Sequence, residues 1–288
     1  QAVFFGGMFQ RLDTFLVGLL VFGLTSCAAL GCIVLRHPSQ LRIARGNVVP
    51  VVGMNIAFAL GWLSYLFSIQ LIEPAVAFTV FTGMVPLTMI AASRFGIAGA
   101  ASARNRFEKA GNLGLLGGIV VLCAITLAGL SGFVRGGTVI AGAGLVLAAA
   151  AGVFITWMLL CSKTLDREGL KPLTQFGLRF FAYLAACLAG WMLALDVKQT
   201  VPPGELAYAV LIGVLTMAFP IYAVQKAVSL VSPLTIGAFA AVSPLFVFGF
   251  QLIEGRIEYA PMTLVGLSVC FAGASVAVLG SSREPAEI

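Results

Sequence analysis

Charge is what this chain has least of. Asp, Glu, Lys and Arg make up 10% of its 288 residues, against about 25% in soluble domains, so it has too few charges to clothe a soluble fold. Histidine is nearly absent. His37 is the only one, and it stands in a basic loop beside Pro38 with no second imidazole to share a metal or support His-dependent catalysis. The six cysteines, Cys27, Cys32, Cys123, Cys161, Cys187 and Cys270, lack the paired spacing of zinc sites or disulfide frameworks. Each falls in or at the end of an apolar stretch, where cysteine serves as a small packing residue. A nucleotide-binding glycine motif, a nucleophile elbow and a spaced acidic motif are also missing. No catalytic residue, cofactor or metal is therefore assigned, and the chain is not expected to be an enzyme.

What the chain has instead is apolar length. Hydrophobic residues reach 60% and the mean hydropathy is +1.05. A helix needs about 20 apolar residues to cross the hydrocarbon, and windows of that size run near 14-35, 48-72, 74-93, 108-130, 138-161, 172-194, 206-230, 233-253 and 260-280. These are nine complete spans. Ahead of them Gln1 to Phe9 is an apolar scrap ending at Arg11, about half of what a crossing requires. It is taken as the end of a truncated first span of ten; it has neither the basic start nor the small-residue cleavage site of a signal peptide. The expected fold class is all-α, a polytopic membrane helix bundle. The 33 glycines are scattered through these stretches without a G-X-Y period, as close-packing positions between membrane helices are.

The net charge of +6 would suggest nucleic acid in a soluble protein, but here it reports orientation, and no nucleic-acid partner is assigned. Alternating loops put Arg36, Arg42, Arg45, Arg94, Arg104, Arg106, Lys109, Lys163, Arg167, Lys171 and Arg283 on one side. Arg11, Arg135, Lys198 and Arg256 fall on the other. By the positive-inside rule the first side is cytoplasmic, and the C-terminus with it.

The two halves repeat. Spans three and four meet at Leu71-Ile72-Glu73-Pro74 with Pro86 further on, and spans eight and nine meet at Leu230-Val231-Ser232-Pro233 with Pro244 further on. Spans five and ten correspond through Leu116-Gly117-Gly118-Ile119-Val120 and Val265-Gly266-Leu267-Ser268-Val269. The repeats are placed at 1-131 and 138-281. Five spans per half is an odd number, so the second half is inverted, the architecture of many secondary transporters that alternate access to a midplane site. Matching the halves also sizes the N-terminal gap at roughly fifteen residues, the shortfall from a full crossing.

At this point the chain resembles the drug/metabolite transporter superfamily, in its ten-span EamA-type branch. The likeness covers nearly the whole chain. It is most specific from Ser232-Pro233-Leu234-Thr235 through Ser243-Pro244-Leu245 to Glu254-Gly255-Arg256 and Gly266, similar to the family's ninth span, its acidic-basic exit and its Gly-rich tenth span. The first half departs from the pattern, with a long basic loop from Arg94 to Phe107 and Glu108 only at its end. The resemblance implies a carrier of small metabolites, amino acids or related solutes, commonly outward, in a bacterial inner membrane.

Residues for such a site are sought where polarity is costly. Arg179 and Lys226 lie inside spans, where charge marks a pathway or a partner. Either could snorkel to the headgroups or form a cationic wall for a carboxylate or phosphate. Tyr222, Gln225 and Lys226 share one face of span eight, and Asn55, Trp62 and Tyr65 lie near one face of span three, the equivalent helix of the other repeat. Such groups suit a polar organic solute, or serve as interhelical hydrogen bonds and interfacial anchors. Mid-span Pro86, Pro220 and Pro244 are either hinges or static kinks. Glu73 and Glu254, at outer ends of spans, either bind a proton or are solvated turn residues. The expected function is secondary transport of a small organic metabolite by alternating access, in contact with lipid. A membrane-embedded enzyme would need clustered His, Asp or Glu at a membrane face, and a channel a filter loop or a ring of charges.

Overall fold

The computed structural model describes residues 1–281 except 101, 104, 199, 200, 232, 242 and 256. Arg104, Ser232, Arg256 and Arg283, all used in the sequence comparison, lie outside the described residues, as does the C-terminus. Helices run in the order α1 (Ala2–Met8), α2 (Thr14–Arg36), α3 (Ser39–Gly46), α4 (Val48–Leu71), α5 (Pro74–Arg94), α6 (Arg106–Leu127), α7 (Thr138–Arg167), α8 (Pro172–Leu178), α9 (Phe181–Met192) and α10 (Pro203–Gly213). A π-turn over Val214–Ala218 follows, then α11 (Phe219–Val228), α12 (Pro233–Ala240), α13 (Pro244–Glu254) and α14 (Pro261–Ser281).

Local chemistry accounts for half of the helix starts. Asp13 caps α2 by accepting from the Leu16 amide at 2.9 Å, and Asn105 caps α6 by accepting from the Glu108 amide at 2.9 Å, each satisfying an amide that has no partner within its helix. Proline opens α5, α8, α10, α13 and α14, where its missing N–H costs nothing.

Eight stretches among the described residues are long and apolar enough to cross a membrane. They match eight of the nine expected spans, seven to within three residues and the eighth, α7, running six residues past 161, with α8 and α9 forming one and α10 to α11 another. The ninth, 233-253, differs: it is two short helices, α12 and α13, with a break ahead of Pro244. Pro244 cannot donate to the carbonyl four residues back and its ring collides with it, so the chain restarts a helix there instead of carrying one through. Apolar side chains face outward. Val49, Val52, Ile56 and Leu60 stand exposed along α4 while Asn55, Phe58 and Trp62 are buried, as expected of a helix with lipid on one side. The protein is an all-α integral membrane protein.

The chain forms two compact units, each drawing on both halves of the sequence. The first comprises Val3–Leu63 and Trp157–Val231, and the second Ser64–Thr156 and Ser232 onward. In the first unit, α2 packs on α8 and α9. Gly177 lies where a Cβ would fall 2.9 Å from Ile33 Cδ1, and the Ser26 hydroxyl donates to the Gly177 carbonyl at 3.1 Å. In the second, α6 and α14 run together along Gly111, Gly114 and Gly118 against Gly273, Cys270 and Ala277, the close backbone approach that small residues permit in membranes.

Candidate functional site

The first unit's site is built on a break. The span Pro172–Met192 stops being helical at Arg179 and Phe180 and resumes at Phe181. An interrupted membrane helix leaves backbone groups without partners, and each costs several kcal/mol in hydrocarbon unless satisfied. Asn55 satisfies two of them. Its Nδ2 donates to the Leu178 carbonyl at 2.7 Å, and its Oδ1 accepts from the Ala182 amide at 3.3 Å.

At the break stands Arg179, 1% exposed. Its Nε and Nη2 are buried and have no hydrogen-bond partner, and no salt bridge reaches it from the described carboxylates. The guanidinium instead lies over aromatic faces, 5.8 Å from the Phe58 ring centroid and 6.0 Å from that of Phe176. Cation–π contacts contribute about 0.5–2 kcal/mol each, less than the several kcal/mol that burying a lone cation costs. The arrangement therefore carries an unmet demand for an anion.

Aromatic rings surround this charge. Phe22 stacks on Phe180 at 5.2 Å and meets Phe58, Trp62 and Tyr183 edge-on. Phe176 carries the cluster to Tyr222 at 5.4 Å. Beside it, Gln225 Nε2 donates to Gln175 Oε1 at 2.7 Å, and Gln175 Nε2 to the Leu170 carbonyl at 2.8 Å. The chain of amides ends at Gln225 Oε1, a buried acceptor with no donor. Unfilled donors on Arg179 and an unfilled acceptor on Gln225 can receive a carboxylate and a hydrogen-bond donor.

Of the residues expected at the site, Asn55, Trp62, Arg179, Tyr222 and Gln225 lie in this unit and join the cluster described. Lys226 is in the same unit but exposed in the last turn of α11, one helical step past the buried Gln225. Tyr65 belongs to the second unit, buried against Phe81 at 4.8 Å and Phe78 at 6.2 Å. Three prolines were expected mid-span. Pro220 follows the π-turn, in which the Phe219 amide bonds the Val214 carbonyl five residues back, a widening that makes room for the proline ring. Pro86 stays inside the continuous α5, where Gly237 comes so close that a Cβ would lie 3.1 Å from Pro86 Cδ. Pro244 begins α13.

Sequence reasoning missed Gln175 and left Glu73 open between two alternatives. Gln175 lies four residues before Arg179, on the same helical face, which was the available signal. Glu73 is not a solvated turn residue: it is fully buried and accepts from Gln251 Nε2, Thr263 Oγ1 at 2.9 Å and the Gly132 amide at 2.8 Å. A glutamate placed directly before Pro74 in a hairpin without a loop has no slack to reach water.

Comparison with known proteins agrees with this architecture. One solved structure, described only as "Crystal structure of protein", is similar with a TM-score of 0.66 over 98% of this chain and 96% of that chain at 18% sequence identity; the likeness is one of fold. No curated protein matches the chain. Residues 142–279 match the EamA-like transporter family, so the second half of the chain carries an EamA-like transporter region, of a family within the drug/metabolite transporter superfamily.

Proposed function

We propose that this protein is a secondary transporter, moving a small organic solute that bears a carboxylate out of the cell by alternating access. The observation that carries the reading is Arg179, a buried guanidinium with unfilled donors at a break in a membrane helix. Interrupted helices are where many secondary transporters bind substrate. In this reading Arg179 holds the carboxylate and Gln225 Oε1 accepts from an ammonium or hydroxyl group. Trp62, Tyr222 and the phenylalanines form an apolar wall, and Asn55 holds the broken helix in shape. An amino acid or related solute meets these demands. Lys226, being exposed, is left out of the contact set. Two inverted five-helix repeats, at 1-131 and 138-281, rock against each other, with bends at Pro86, Pro220 and Pro244. The membrane is a bacterial inner membrane and the C-terminus is cytoplasmic. Energy comes from an ion gradient or from exchange, since the chain has no nucleotide-binding motif.

Counterflow in proteoliposomes, with a panel of labelled amino acids and organic acids, tests this directly. Saturable exchange is expected for at least one carboxylate-bearing solute. Arg179→Met should raise its KM about ten- to a hundredfold, as loss of a charge-assisted hydrogen bond worth about 1.5–3 kcal/mol would. The same substitution should also raise the unfolding temperature, because an uncompensated buried charge is removed. Unchanged KM in Arg179→Met, with a lowered unfolding temperature, would make Arg179 a structural residue and refute the assignment.

A further inference from the structure

The second unit buries an ionisable group that solute binding does not use. Four segments converge on the Glu73 carboxylate: the turn between α4 and α5 that contains it, the loop after α6 through Gly132, α13 through Gln251, and α14 through Thr263. Gln251 is doubly engaged, since its Oε1 accepts from the Ala75 amide at 3.3 Å. All three donors to Glu73 are neutral, and no described Lys or Arg pairs with it.

The other titratable groups on these elements do not neutralise it. Arg135 on the loop after α6, Glu254 at the end of α13, and Glu258 and Tyr259 ahead of α14 are exposed. Helix α5 carries only Arg94, at its far end, and α14 only Cys270. Tyr65 lies two turns back on α4, Cys123 lies near the end of α6, and Arg106, Glu108 and Lys109 lie at its opposite end. Neither α12 nor residues 138–156 of α7 hold any.

The segment that Glu73 holds is a separate short helix. Helix α13 is severed from α12 ahead of Pro244 and ends at Gly255 with φ of 74°, a left-handed conformation suited to glycine. It is a short helix that packs against α5 and α14 and buries Phe248 and Gln251.

We infer that Glu73 is a proton-binding site, and that its proton is held while these segments are fastened over the carboxyl group and released to water when they open. Water at the membrane face supplies the proton and takes it back; the only bond made or broken is the O–H of the carboxyl group. Burial raises the Glu73 carboxyl above its ordinary 4.5, against the hydrogen bonds from Gln251, Gly132 and Thr263 that favour the anion. A raised value means the fastened state binds the proton more tightly than the open one, so the fastened state gains below 4.5 and that gain disappears as pH rises through the raised value. The proton site stands on its own geometry, whereas its use in driving solute rests on the transporter reading above.

The test needs no substrate. In the full chain reconstituted in lipid, pH-difference infrared spectroscopy should show a protonated-carboxyl band that titrates above the ordinary glutamate range and vanishes in Glu73→Gln. Exchange of the Gly132 amide, corrected for its intrinsic rate, should accelerate with pH across the same window. One proton limits that change to about tenfold per pH unit, and the dependence should be lost in Glu73→Gln, whose amide still offers Gly132 a carbonyl. Thr263→Val removes a donor to the anion and should move the band's midpoint to higher pH. A band unaltered in Glu73→Gln, or a midpoint that stays put or falls in Thr263→Val, overturns the proposal. If solute counterflow fails while the band behaves as stated, only the transport reading falls.

Discussion

Two neighbouring glycines on α6 should respond to the same substitution in opposite ways. A Cβ on Gly118 would lie 2.5 Å from Cys270 Sγ, 2.7 Å from the Cys270 backbone nitrogen and 2.9 Å from its Cα, whereas one on Gly117 would meet nothing within 4 Å. Non-bonded atoms pack best at roughly 3.5–4.0 Å, so Gly118→Ala forces α6 and α14 apart by about 1 Å at that layer. The sulfur can rotate away, but the backbone nitrogen cannot. Overpacking of this kind costs about 1–3 kcal/mol. The upper part of that range is expected, because the separation also loosens the layer where Gly273 lies against Leu115 and Gly114. Gly117→Ala should be neutral or stabilising by up to about 1 kcal/mol, the helix propensity gained. Heating each variant in mild detergent while following the loss of helical circular dichroism reports the transition. Gly118→Ala should unfold below wild type and Gly117→Ala at or above it. Adding Cys270→Ala to Gly118→Ala should recover only part of the loss. Equal midpoints for the two glycine variants would refute the packing account.

Acid should weaken the first unit through Asp196, which accepts from the Thr14 amide at 3.0 Å and from Lys198. Burial pushes this carboxyl up, but the bonds from Lys198 and Thr14 outweigh it and leave it below 3.8. Its stabilisation is thus present above 3.8 and lost as pH falls through the lowered value; unfolding curves between neutral and strongly acidic pH should show that loss in wild type and not in Asp196→Asn. Orientation can be tested with a single cysteine at Ala98, in a background without the native cysteines. It should resist an impermeant thiol reagent added outside intact cells, and labelling there would reverse the assignment of sides.

The spans were legible because hydrophobic length is a one-dimensional property, and the eight long ones survive folding with their ends nearly where composition puts them. Pro244 shows the limit. Apolar length alone cannot distinguish a kinked span from two short helices, because the outcome depends on whether neighbours accommodate the proline, as the π-turn does for Pro220. The residues gathered around Arg179 were legible by type and not by direction. Gln225 and Lys226 differ by one position and by about 100° around the helix, so one is buried and the other exposed, and a boundary uncertain by a residue cannot decide which. Glu73 stayed open between a proton site and a solvated turn because its burial comes from Gly132, Gln251 and Thr263, up to 190 residues away along the chain.

Position 55 does more than fill space. One flat amide meets a carbonyl on one side of the break and an N–H on the other, so it accepts only a group that gives and receives at once. An aspartate would greet Ala182 and repel Leu178; a lysine would do the reverse; a leucine would answer neither. The bend that presents Arg179 is therefore specified by a side chain on another helix, and α4 acts as a template on which the shape of the span beyond it is cast.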